Sequence, residues 1–100
     1  MSNHARGEAS IHVNGREIVL RPTFDALVKA EAEIGSLFAL VERAGEGRLT
    51  LTEIAALFWF CSARPGSVTR DEVGEAVVGM GLSGAAVPLK ILLGQVLRGR

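Results

Sequence analysis

Asn14-Gly15 constrains this chain more than any other pair of residues. It is the dipeptide preferred in type I′ turns, whose backbone twist matches that of the strands they join, and it lies between two short β-type runs within Glu8 to Arg21. The predicted element is a hairpin over residues 8–21. If Val13 faces Arg16, then Ala9, Ile11, Val13, Ile18 and Leu20 share one face, Glu8 meets Arg21, and His12 meets Glu17. One face is apolar and the other charged. A lone two-stranded hairpin is marginal in water, so the apolar face must lie on the segments that follow.

Those segments read as helices. Pro22 ends the strand, Thr23 is placed to cap a helix over 24–34, and Gly35 to stop it. The expected apolar stripe of that helix is Phe24, Leu27, Val28 and Ile34, with Glu31 at the i+7 position where an apolar residue belongs. Ser36 caps a short helix over 36–44 that runs out in Gly45-Glu46-Gly47. Two later starts are built alike: Thr50 with Glu53 and Thr69 with Glu72 are capping boxes, each bracketed by a hydrophobic pair, Leu49 with Ile54 and Val68 with Val73. They open helices over about 51–63, stopped by Arg64-Pro65-Gly66, and 70–80, stopped by Gly81, with Val73, Ala76, Val77 and Met80 as the latter's stripe. A fifth helix over about 84–97 tolerates Pro88 near its first turn and carries Leu89, Leu92, Leu93, Val96 and Leu97. The expected fold is α+β, one domain over 8–100 in which an N-terminal β-hairpin packs on a bundle of four to five short helices, preceded by a flexible tail at 1–7.

Charge and cysteine content narrow the function classes. Eleven Lys plus Arg balance eleven Asp plus Glu, which removes the bulk attraction expected of a nucleic-acid or anionic-membrane binder. The neutrality is a cancellation: residues 1–22 carry three Arg against two Glu, residues 23–81 five basic against nine acidic groups, and residues 82–100 three basic groups and no acid. Cys61 is the sole cysteine, so no internal disulfide forms and a reducing, cytoplasmic setting is expected. The polar opening MSNHARGEAS has no secretory core. The apolar run from Ala76 to Leu97 is broken by Gly79, Gly81, Ser83, Gly84 and Pro88, so no membrane span is expected there.

The catalytic inventory is thin. His4 falls in the tail and His12 beside Glu17 on the charged hairpin face; no zinc, phosphate-loop or nucleophile-elbow motif occurs. No cofactor, metal or catalytic residue is expected. Cys61, three and four positions after Phe58 and Leu57, reads as a small buried hydrophobe. Asp71 and Glu72 point about 100° apart and suit a helix N-terminus better than paired catalysis. Glu31 is the acid out of place, and pairing with Arg21 or Arg48 would explain it.

Candidate contact residues come from two helices with more apolar positions than one stripe uses. On the third helix Ile54, Leu57, Phe58 and Cys61 cluster, while Trp59 and Phe60 fall at about 140° and 240° from Ile54. Either this helix is central and surrounded, or an aromatic face is left to dock a partner. On the fifth helix Val87 and Ile91 point off the main stripe. Trp59, Phe60, Val87 and Ile91 are therefore the candidate partner-binding residues.

Gly15-Arg16-Glu17 followed by Leu20-Arg21-Pro22-Thr23-Phe24-Asp25-Ala26-Leu27, and Gly47-Arg48-Leu49-Thr50-Leu51-Thr52-Glu53-Ile54, give the chain a family likeness. It resembles the small gene transfer agent family of tail proteins, related to phage tail assembly chaperones and encoded beside the major tail and tape-measure proteins in prophage-like clusters. The likeness runs from the hairpin to the last helix and rests on pattern and length, and its motifs are structural. It implies a non-enzymatic assembly role, a chaperone holding the tape-measure protein or the major tail tube protein before polymerisation, with a minor structural part of the tail as the alternative. A Glu near the end of the first helix belongs to the same pattern and matches Glu31. A small regulatory or enzymatic domain using His12 and Glu17 is the remaining alternative.

Overall fold

The computed structural model describes residues 8–63 and 66–99. The expected tail at 1–7 with His4, and Arg64-Pro65 of the expected helix stop, lie outside the described residues. The elements in chain order are β1 Ala9–Val13, β2 Arg16–Leu20, α1 Phe24–Ile34, α2 Leu37–Gly45, α3 Leu51–Phe60 and α4 Arg70–Arg98. The fold is α+β, a two-stranded antiparallel hairpin followed by four helices.

The hairpin has the register that its turn dictates. Val13 pairs with Arg16, His12 with Glu17 and Ala9 with Leu20, and Asn14 and Gly15 both take positive φ, 52° and 79°, as a type I′ turn requires. Ala9, Ile11, Val13, Ile18 and Leu20 are all buried. At the open end the Arg21 Nε–H donates to Glu8 Oε2 at 2.9 Å.

The outer edge of β2 is covered by the chain leaving α3. Leu20 bridges Ser62, the Arg21 N–H donates to the Cys61 carbonyl at 2.6 Å, and the Ala63 N–H to the Val19 carbonyl at 2.9 Å. This corrects the expected helix over 51–63. The helix stops at Phe60 because the next three residues satisfy strand groups that would otherwise stay unpaired at a sheet edge.

α3 is the central element. Ile54, Ala55, Ala56, Leu57 and Phe58 are buried along it; it packs on α1 and α4, and α4 in turn covers β1 and α2. Both capping boxes are formed, Thr50 with Glu53 and Thr69 with Glu72. Thr23 and Ser36 cap α1 and α2 through Ala26 and Ala39 N–H groups.

The buried face of α1 is not the stripe expected from its largest residues. Ala26 and Ala30 are buried and Leu27 and Ile34 half-buried, whereas Phe24 is 83% and Val28 46% exposed. Two alanines one turn apart let the backbone of α1 approach α3 closely, and the bulkier residues are turned out to one side.

α4 joins the two last expected helices without a loop. Gly81 alone leaves helical geometry, at φ 77° and ψ 162°, so residues 70–80 and 82–98 are two arms meeting at a kink. The first arm buries Val73 and Val77 and the second Ala85, Pro88, Leu89, Leu92 and Leu93. Leu97, expected on the buried stripe, is 61% exposed, whereas its neighbour Val96 packs against the core. Pro88 lacks the N–H that would reach the Gly84 carbonyl, and Gly84 is exposed, so water can serve that carbonyl. By length and composition α4 would suffice to cross a membrane; here it is kinked and supplies the core.

The Gly81 backbone lies in a region open essentially to glycine alone, and no atom stands within 4 Å of where its Cβ would be. Gly81→Ala is therefore expected to cost about 1–3 kcal/mol through backbone strain alone. Gly79→Ala, at an exposed helical position with the same open space, is expected to gain about 0.5–1 kcal/mol. Urea denaturation of both variants checks the contrast, and equal midpoints would remove the kink from the account.

Candidate functional site

The residues that carry chemistry are placed structurally. His12 is exposed opposite Glu17. Cys61 is buried, and burial pushes its thiol up to about 12, which keeps it protonated and unreactive near neutrality. Glu72 closes its capping box and also accepts from the Asn14 side-chain amide at 2.7 Å, tying the hairpin turn to α4. Among the described residues no group of three or more His, Cys, Asp or Glu is gathered as a metal site would need. A hollow of about 530 Å³ lies beside β2. The Arg16 and Arg21 guanidinium groups on its wall are engaged, Arg16 with the Ser67 carbonyl and Arg21 with Glu8.

Trp59 and Phe60 form one group with Arg70. Both rings are half-buried, stacked edge to face with centroids 5.0 Å apart. The Arg70 guanidinium lies 4.7 Å from the Trp59 ring and 5.1 Å from the Phe60 ring and bonds to Glu33 of α1. The Trp59 Nε1–H donates to the Val68 carbonyl at 3.1 Å. The indole is thus used where α3, the segment before α4 and the end of α1 meet. Val87 and Ile91 lie one turn apart on the second arm of α4, Val87 62% exposed and Ile91 half-buried against the core.

A second apolar surface surrounds Glu31. Phe24, Val28 and Glu31 fall within about 60° of one another on α1. At the Glu31 end of this stripe is a cavity of about 170 Å³, lined by Glu31, Leu37, Phe38, Val41, Val96 and Leu97. Phe38 is 77% exposed at its rim. Glu31 does not pair with Arg21 or Arg48, which go to Glu8 and Glu46; its Oε2 accepts the Leu37 N–H at 3.0 Å and so caps α2.

This surface was hidden in the sequence behind the assumption that the largest apolar residues of α1 face inward. The contrary signal was present. A carboxylate in line with Phe24 and Val28 marks that stripe as solvent-facing, and Ala26 with Ala30 offers a second helical face.

Charge near the cavity is acidic. The Arg43 guanidinium, on α2, turns to Glu53 of α3, Nη2 to Oε2 at 2.6 Å. That hydrogen bond, with further ones from Thr50, lowers the Glu53 carboxyl to about 2, and the same contact raises Arg43. Lys29 pairs with Asp25 at 3.0 Å. Arg98 folds back over Gly94, its Nη2 2.9 Å from where a Cβ would stand. Glu31 is the charged residue on the cavity wall, and exposed Glu42 follows Phe38 by one turn of α2. A further hollow of about 160 Å³ opens beside exposed Leu82, between Leu49, Ile54, Ala86 and Leu89.

Compared with known proteins, residues 6–99 match the model of a family described as phage tail tube protein, GTA-gp10. No curated protein and no solved structure matches.

Proposed function

The chain belongs to the phage tail tube protein family GTA-gp10, and from that membership we propose that it serves tail assembly as a non-enzymatic chaperone, holding the tape-measure or tail tube protein through exposed apolar side chains. Membership makes it a protein of phage or gene transfer agent tails, associated with phage-like particles. The observation that carries the finer reading is the Phe24, Val28, Phe38 and Leu97 surface, 46–83% exposed by residue. Contiguous exposed apolar side chains of this kind mark protein contacts in soluble domains. The family description favours a second reading, a component retained in the tail tube itself.

Mass spectrometry of purified particles separates the two. A chaperone is expected to be absent or far below the tube subunit in abundance, and presence in stoichiometric amounts would replace that reading with the retained component. Co-expression with the neighbouring tail genes is expected to retain the tape-measure or tube protein on the tagged chain. Retention of neither would remove the assembly role.

A further inference from the structure

Resting on the reading that this face makes the chain's protein contact, we propose that the cavity between α1, α2 and the end of α4 receives one amphipathic helix with basic flanks, laid along α1. Three features specify that occupant. The cavity, about 170 Å³ and walled by Leu37, Phe38, Val41, Val96 and Leu97, has the size of apolar cavities of about 150 Å³ that accept benzene. It holds one aromatic or branched aliphatic anchor. From Glu31 back to Phe24 the open stripe of α1 runs seven residues, about 10 Å at 1.5 Å per residue. That is the span over which a docked helix spaces anchors at i, i+4 and i+7, the first entering the cavity and the others meeting Val28 and Phe24.

The third feature is charge. The wall carries Glu31 and Glu42 follows Phe38 one turn along α2, while Arg43, Lys29 and Arg98 are drawn to Glu53, Asp25 and the Gly94 side of α4. A helix flanked by Lys or Arg is attracted to those carboxylates, and one flanked by Asp or Glu is repelled, so the site selects its partner by sign.

Fluorescence anisotropy with the full chain tests this. The probes are two labelled helical peptides of roughly 18 residues, long enough to hold helix, with leucines at the same i, i+4 and i+7 positions and either lysines or glutamates beside them. The lysine peptide is expected to bind about tenfold more tightly than the glutamate peptide, with the gap closing at high salt. Phe38→Ala and Phe24→Ala, both at exposed positions that leave folding intact, are expected to weaken it about tenfold each, and Glu42→Gln about threefold. Equal binding of the two peptides, or unchanged binding by both Phe variants, would overturn the proposal. So would a concentration-dependent dimer in sedimentation that Phe38→Ala dissolves, which assigns the face to a second copy. The pull-down keeps the two readings apart. A tail protein retained equally by wild type and Phe38→Ala overturns this site and leaves the tail role standing; lysine-peptide binding without any retained tail protein supports the site and removes the chaperone.

Discussion

Phe58→Ala is expected to cost about 3–5 kcal/mol, the upper range for truncating one buried side chain. Phe58 is fully buried, at 0% exposure, on the helix that packs against both α1 and α4, so removing its ring leaves a cavity inside the core. Against a total stability of about 5–15 kcal/mol, that loss lowers the melting midpoint by roughly 15–30 °C. The same truncation at Phe24 or Phe38, 83% and 77% exposed, is expected to change stability by about 0.5 kcal/mol or less. Thermal and urea denaturation of the three variants gives the comparison. A Phe58→Ala midpoint within error of Phe24→Ala would remove α3 from the centre of the fold.

Acid is expected to weaken the α2–α3 contact through one carboxylate. The hydrogen bond from Arg43 holds the Glu53 carboxyl at about 2, well below its ordinary 4.5. A depressed folded pKa stabilises the protein above the unfolded value, and that contribution is lost as pH falls from about 4.5 through about 2. The full shift would be worth about 3 kcal/mol at 1.36 kcal/mol per unit; with the pair open to solvent on one side, about 1–2 kcal/mol at pH 7 is expected. Glu53→Gln isolates this charge, since glutamine still serves at the third position of a capping box. The variant is expected to lose that amount at pH 7 and almost nothing relative to wild type at pH 2, by urea denaturation at both pH values. An equal loss at both would assign the effect to the cap or to packing instead of the ion pair.

Local chemistry made the hairpin and the helix starts legible in advance. Asn14-Gly15 sets a two-residue turn, the turn sets the register, and the register sends Ile11, Val13, Ile18 and Leu20 inward while pairing Glu8 with Arg21. Thr50 with Glu53 and Thr69 with Glu72 satisfy their backbone donors within four residues, so no distant contact is needed to place those helix starts. Gly81 was readable as a stop for the same reason.

The candidate surface was less legible, because periodicity gives a helix an apolar side without giving it a neighbour. In α1 both Phe24-Val28 and Ala26-Ala30 repeat every four residues, and only the close approach to α3 decides that the alanines go in. Trp59 and Phe60 are half-buried beside Arg70, eleven and ten positions later, whose guanidinium lies over both rings. The end of α3 depends on the free edge of β2, forty residues earlier, which takes Ser62 into the sheet opposite Leu20. Turns, caps and register are short-range hydrogen bonding, and the sequence by itself determined them. Which apolar face is covered, where α3 yields to the sheet, and which large apolar side chains stay exposed were decided only by the tertiary structure, because each depends on side chains that the chain brings together from far apart.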